Sequence, residues 1–350
     1  MERTLKPSAR SRALRIRAYA KVNLGLEVLG VRKDGYHELR SLFQTIDLHD
    51  DIVIRLRPRG LEVRCDHPDV PQDGRNLALR AALELQRHAR IERGAEIAIA
   101  KRIPVGGGLG GGSSDAAAVL MALDRLWGVG LGRAGLHELA RRLGADVPFF
   151  LVGGTALGLA RGDEVYPLRR QVRGHVVVVD PGRPISTAAV FARMDRSLTA
   201  RENSNKIFRF VSSDLEGFRA FPILANDLEK AALEEAPELA DQVGRIRGIL
   251  IREGAALASL SGSGSSFFGL YDDARRARGA QSALIAAGFI VLRARTVSLD
   301  QYRRFWVRSL GAWRGARGSN QSRSRHHGDH GRQGHPGRGR KAEGLRVHRV

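Results

Sequence analysis

Residues Pro104 to Val119 read PVGGGLGGGSSDAAAV, a glycine loop running into an apolar, Ala-rich segment. No other stretch narrows the fold so far. Glu96 to Ile103 before it alternates apolar and polar residues like a half-buried strand, and Ser113 to Trp127 has the pattern of a helix. Strand, glycine loop and helix therefore follow in order. The six glycines between Gly106 and Gly112 let the main chain take positive φ and approach a ligand closely, while a helix N-terminus offers unpaired N–H groups and partial positive charge. The guest that suits such a loop is an anion, above all a phosphate.

Three other meanings of the loop compare poorly. Gly106-x-Gly108-x-x-Gly111 matches a dinucleotide fingerprint, but the acidic residue that should close a following strand is missing, and Asp124 falls within the helix. A Walker loop needs a lysine before its Ser/Thr, and Gly112 stands there. A flexible linker is not framed by a strand and an apolar helix with two serines at the junction.

The formal charge of +21 over 350 residues suggests a nucleic-acid partner until it is divided along the chain. Residues 303–350 hold thirteen Arg/Lys against Asp329 and Glu343, and residues 1–17 hold six against Glu2, so the body between them carries only about +5. A chain of 350 residues that is 43% hydrophobic can bury one large core or two ordinary ones. Cys65 is the sole cysteine, which excludes an internal disulfide and a cysteine metal cluster. With no run of 18 apolar residues and no secretory signal, a soluble cytoplasmic chain without membrane partners is expected.

Leu14 to Cys65 is strand-like, with Lys33 to Gly35 as turn chemistry, and Leu77 to Arg93 reads as an amphipathic helix. Leu136 to Leu143 is a further helix, ended by Gly144, with a tight connection over Ala145 to Pro148. The second half runs strand (His175 to Asp180), helices to about Glu253, strands Ala256 to Ser261 and Phe267 to Tyr271, helix Asp273 to Ala287, and strand Phe289 to Thr296. That order is a split βαβ, or ferredoxin-like, arrangement. Between its middle strands lies a second glycine loop, Ser261 to Ser266, which is a hairpin turn by itself and an active-site wall when paired with the first. Beyond Arg314 the chain is Gly, Arg, Ser and His, and cannot build a core. His326, His327 and His330 there belong to that polar tail rather than to a metal site.

A phosphate loop without its own lysine needs charge from elsewhere. Lys21, a cation in an otherwise apolar alternating strand, and Asp146, a carboxylate just after Gly144, are the candidates, although an exposed strand lysine and a turn aspartate are the ordinary roles of such residues.

Together the segments 20–26 (AKVNLGL), 32–38 (RKDGYHE), 42–44 (LFQ), 104–114 (PVGGGLGGGSS), 144–148 (GADVP), 226–229 (NDLE) and 261–264 (SGSG) resemble the GHMP small-molecule kinases, in family order over about residues 15–300. Within that superfamily the likeness is to the kinases of a cytidine-diphosphate-linked methylerythritol in the non-mevalonate isoprenoid route. The Asp-Gly-Tyr-His element and the triple-glycine form of the loop carry that narrower likeness.

The resemblance implies a two-domain α/β and α+β GHMP kinase fold. A ribosomal protein S5 domain 2-like ATP-binding domain would span 14–168 and a ferredoxin-like domain 169–302, between a basic leader (1–13) and a basic tail (303–350). It implies Asp146 as acceptor of the substrate hydroxyl's proton with Lys21 beside it. ATP would be held by Pro104, Gly106, Gly107, Gly108, Leu109, Gly110, Gly111, Gly112, Ser113 and Ser114, with Asn76, Leu77 and Lys101 near its adenosine half. Mg²⁺ would bridge the phosphates without evident protein ligands. The acceptor's cytosine would stack between Tyr36 and Phe191, with His37 reading its polar edge and Asn23 and Thr187 nearby, while Gly262 and Gly264 would meet its diphosphate. Homoserine- or mevalonate-type kinases and an RNA-binding protein using the basic tail are the alternatives. Tyr36 and His37 argue against the former, and the lack of paired aromatics on a second-half sheet against the latter.

Overall fold

The computed structural model describes residues 13–197, 205–212 and 224–311. The basic leader before Ala13 and the tail from residue 312, with its histidines, lie outside the described residues.

A long hairpin forms the spine of the first half. β1 (Ala13–Val31) pairs antiparallel with β2 (His37–Arg57) through a turn in which Gly35 takes φ +80°. Around them stand β3 (Leu61–Cys65), β4 (Gly94–Ala100), β5 (Thr155–Leu159) and β6 (Glu164–Pro167), in the order β3-β4-β2-β5-β6 with β1 pairing β2. Only β3 and β4 run parallel, joined through α1 (Leu77–Ala89). That helix stops short of the Arg93 expected from the apolar pattern, because Arg90 turns left-handed (φ 52°) and its amide reaches the carbonyls of Arg87 and Gln86.

α1, α2 (Gly111–Trp127), α3 (Gly132–Leu143) and the short α4 (Val147–Val152) cover the sheet and bury Ile52, Ile54, Ile97, Leu120 and Phe149 with it. The second half holds β7 (His175–Asp180), β8 (Leu257–Leu260), β9 (Phe267–Tyr271) and β10 (Ile290–Arg295) in the all-antiparallel order β10-β7-β9-β8. This is the strand order of the expected split βαβ unit. Helices α5 (Thr187–Ser197), α6 (Lys206–Ser212), α7 (Leu228–Glu235), α8 (Ala240–Arg252) and α9 (Ala274–Ala286) complete it.

β1 shows why the halves join. Its first residues alternate exposed and buried, but from Ala18 to Val28 every residue is buried. Ala20, Val22 and Leu24, with Leu42 and Ile46 of β2, form one core with Val176, Val178, Phe268 and Leu270 of the second sheet. Leu109 of the glycine loop belongs to the same core. The two sheets therefore share apolar packing, and the loop is anchored where they meet.

One expectation is corrected. Composition places the start of the tail at residue 303, yet α10 (Leu299–Gly311) runs on to Gly311 and returns to the first half. Tyr302 and Trp306 are buried in its core, with Phe305 packed against them. The arginines of this segment mask an apolar stripe of helical spacing, and the stripe decides its fate.

Candidate active site

A cleft of about 620 Å³ opens at the junction, lined by the glycine loop, β1, the residues before α1, Asp146, and Gly262 and Ser263 of the second loop. Gly106, Gly108 and Gly110 all have φ +73°. At Gly108 a Cβ would stand 2.0 Å from the Ser261 carbonyl oxygen, so the backbone conformation and the contact both demand glycine there. Gly110 caps α2 without any side-chain hydrogen bond, which leaves first-turn N–H groups of this helix for a ligand.

The two glycine loops hold each other. The Ser266 amide donates to Gly107 O (3.1 Å), and the Ser261 hydroxyl donates to Gly108 O (3.0 Å). Asn226 clamps the second loop by donating to the carbonyls of Leu260 (2.9 Å) and Gly262 (2.7 Å). Thr187 and Ser263 share a 2.7 Å hydroxyl contact, which ties the start of α5 to the same loop.

At the mouth, Lys21 Nζ lies 3.3 Å from Asp146 Oδ2, with the lysine side chain 4% exposed and the aspartate 34%. Asn23 Oδ1 accepts from the same ammonium at 2.6 Å, and Asn23 Nδ2 donates to Ser41 Oγ at 2.7 Å. The ring of Phe43 sits 5.6 Å beneath the ammonium. Main-chain contact is just as close, since the Lys21 amide donates to Leu109 O (3.0 Å) and so joins β1 to the loop. Asp146 stands immediately before α4, at its N-cap position, where the sequence suggested only a tight connection. Position and partners together make a half-exposed carboxylate steered by a buried cation, a pair able to accept a proton from an alcohol and to offset the charge that develops on it.

Other expected residues divide. Pro104 to Ser113, Asn76, Leu77, Lys101, Asn23, Thr187, Phe191 and Gly262 line the cleft. Ser114 is buried in α2, and Gly264 stands behind Gly262, outside the lining. The Asn76 side chain is spent within the chain: its oxygen accepts from the amides of Ala78 and Leu79, and its nitrogen donates to Pro71 O. The Lys101 ammonium is bound by Asp50 and Asp115. Neither His37 nor Tyr36 is in the lining: His37 lies against Phe191 with ring centroids 4.7 Å apart, and Tyr36 is 56% exposed with the Arg161 guanidinium 4.8 Å from its ring. The chain thus brings His37 against Phe191 and backs Tyr36 with Arg161.

Sequence reasoning missed Ser41, Phe43, Asp50, Asp115 and Arg161. Asp115 stands within the quoted glycine segment and Phe43 within the quoted 42–44 segment, while nothing in the local pattern around Ser41, Asp50 and Arg161 sets them apart. Among the described residues no three His, Cys, Asp or Glu side chains gather as a metal site, and no helix is long and apolar enough to cross a membrane.

A ferredoxin-like half packed on a mixed sheet, with a glycine cradle at the seam and a Lys–Asp pair at its mouth, defines a small-molecule kinase of the GHMP class. The models for the GHMP kinases N terminal domain and the GHMP kinases C terminal match residues 76–154 and 215–290. The 4-diphosphocytidyl-2-C-methyl-D-erythritol kinase of Gloeobacter violaceus is 42% identical over 268 residues, covering 75% of this chain and 87% of that protein. A crystal structure of 4-(cytidine 5'-diphospho)-2C-methyl-D-erythritol kinase superposes with TM-score 0.66 at 36% identity, covering 81% of this chain and 99% of that one. The chain belongs to the 4-diphosphocytidyl-2-C-methyl-D-erythritol kinase family. Homoserine kinase from Cytophaga hutchinsonii shares the fold alone, with TM-score 0.64 at 19% identity over 84% of this chain and 98% of its own.

Proposed function

We propose that this chain transfers the γ-phosphoryl group of ATP to the 2-hydroxyl of 4-diphosphocytidyl-2-C-methyl-D-erythritol, with Asp146 as the proton acceptor and Lys21 as its electrostatic partner. The observation that carries the reading is the 3.3 Å Lys21–Asp146 pair at the mouth of the glycine cradle. As the hydroxyl oxygen bonds to phosphorus, its proton passes to the Asp146 carboxylate, and the bond from the γ-phosphorus to the bridging oxygen breaks to leave ADP. Lys21, held by Asn23, meets the charge that gathers around the entering oxygen. Asn23 is itself braced by Ser41, so the ammonium needs no reorganisation at the moment of transfer.

First-turn amides of α2 and the main chain of the glycine loop hold the triphosphate. Mg²⁺ suits this lining because the protein offers scattered oxygen donors, such as Ser113 and Asp146, rather than a cage. Such an ion, when bound, neutralises phosphate charge. The cytosine of the acceptor stacks on the Phe191 side of the cleft, where His37 already lies against that ring. A cytoplasmic location accompanies the reading, as the compartment that supplies ATP.

The test is ADP release from Mg-ATP with the cytidyl acceptor, homoserine and mevalonate, using the wild-type chain and Asp146→Asn. Turnover confined to the cytidyl acceptor and reduced in the variant by about 10²-fold or more is expected. Turnover with another acceptor overturns the substrate, and near-normal turnover in the variant removes Asp146 from proton transfer.

A further inference from the structure

The glycine loop leaves β4 through Lys101, Arg102 and Ile103 and enters α2 at Gly111, so its span depends on how far apart those two stems are held. Asp50 of β2, completely buried, holds the first stem directly: Oδ1 accepts from the amides of Arg102 (2.6 Å) and Ile103 (2.9 Å). Its Oδ2 accepts from the Lys101 ammonium at 2.5 Å. That ammonium also donates, at 3.0 Å, to Asp115 Oδ2, one turn inside α2. One carboxylate therefore grips the entering stem by its main chain and the leaving stem through a single lysine. The crossing is tight, since a Cβ on Gly111 would stand 2.9 Å from the Lys101 ammonium.

Charge within the cluster is uneven. Two buried carboxylates face one ammonium, and Asp115 Oδ1 is buried with no hydrogen-bond partner. Burial, with Asp50 adding to it, holds the Asp115 carboxyl above the usual carboxylate range against the pull of Lys101. Burial lowers and the two carboxylates raise the Lys101 pKa, and the carboxylates win. Asp115 thus gives Lys101 a hydrogen-bond acceptor at 3.0 Å as well as charge, and an acceptor alone can keep the crossing in place.

We propose that Asp50 is a positioning residue of the triphosphate cradle, fixing the separation of its two stems through Lys101 and Asp115. The inference rests on the kinase reading above and assigns to Lys101 a bracing role besides any contact with nucleotide. Neither Asp50 nor its carboxylate needs to touch ATP for this to hold, because both of its oxygens are used within the chain.

Calorimetric titration tests it on the full chain with two probes, the non-hydrolysable analogue adenylyl imidodiphosphate with Mg²⁺ and, separately, cytidine diphosphate. Asp50→Asn is expected to weaken the adenylyl probe about tenfold or more while cytidine diphosphate stays within about twofold. Asp115→Asn, whose amide oxygen can still accept from Lys101, is expected to weaken the adenylyl probe less than Asp115→Ala. Equal weakening of both probes by Asp50→Asn, or no weakening of either, overturns the positioning role, as does an Asn variant no better than Ala at 115. Should Asp50→Asn fail to fold, the comparison at 115 decides. A wild-type chain that binds cytidine diphosphate but not the adenylyl probe overturns the kinase reading instead, and this inference with it.

Discussion

The Tyr302 hydroxyl donates to the main-chain carbonyl of Phe150 at 2.5 Å, which ties the last described helix to the short helix that Asp146 opens. The tyrosine is 2% exposed, and its ring fills the space beside Gly153, where a Cβ would stand 2.2 Å away. Burial pushes its phenol above the usual range, so the hydroxyl stays a donor through the physiological interval. α10 is in this sense part of the frame of the Asp146 carboxylate, the proposed proton acceptor, although it lies about 150 residues away in sequence.

Tyr302→Phe is expected to cost about 1–2 kcal/mol, because the Phe150 carbonyl loses its partner inside the core. It should lower kcat more than it raises the KM for ATP, since α4 moves with the Asp146 carboxylate while the glycine loop keeps its own ties. Urea unfolding and initial-rate kinetics measure both. A chain ended after Gly311 should keep stability and turnover, whereas one ended at Ser298 should lose them. Full activity in the shorter chain would show that α10 braces nothing.

Much of this was legible in the sequence. The strand, glycine loop and helix at 96–127, and the order of the second-half elements, follow from periodicity and glycine placement, which are local properties. Lys21 and Asp146 were legible as a pair only through resemblance, since each alone looks like an ordinary surface or turn residue. The bracing groups were not legible at all. Asp50 sits in an alternating strand with Asp51 beside it, and only the approach of β4 and α2 makes the first a buried anchor while the second stays accessible. In 303–311 the arginines dominate the composition, but the helical spacing of Tyr302, Phe305 and Trp306 decides that the segment packs on the first half.

The acceptor end gives a second prediction. Phe191 lines the cleft and lies against His37, while Tyr36 is exposed and backed by Arg161. A base entering here gains an aromatic face from Phe191 at once, and stacking of this kind is worth about 1–3 kcal/mol. Phe191→Ala is therefore expected to raise the KM for the cytidyl acceptor about tenfold and to leave the KM for ATP within about twofold. Tyr36→Ala should act in the same direction. Steady-state kinetics with each substrate varied in turn decides it, and a rise in both KM values would place Phe191 in general packing rather than in base recognition.

The last prediction concerns acid. Asp163 is completely buried between Arg141 of α3 and Arg161, at 2.9 and 2.8 Å, with Tyr36 and Asp34 on the far side of Arg161. Burial raises the Asp163 carboxyl, but the hydrogen bonds from Arg161 and Arg141 outweigh it and hold the group below the usual carboxylate range. A folded-state value below the unfolded one, about 3.9, means that the carboxylate stabilises the fold fully above that pH and progressively less as pH falls through the folded value. Asp163→Asn takes the charge from a buried carboxylate that two partly exposed arginines share, and is expected to cost about 1–3 kcal/mol at neutral pH. The gap between wild type and variant should hold steady from about pH 7 to 5 and narrow below about pH 4. Denaturant unfolding of both chains across that range measures it; a gap that does not change with pH would assign the cost to packing instead of to the ionised carboxylate.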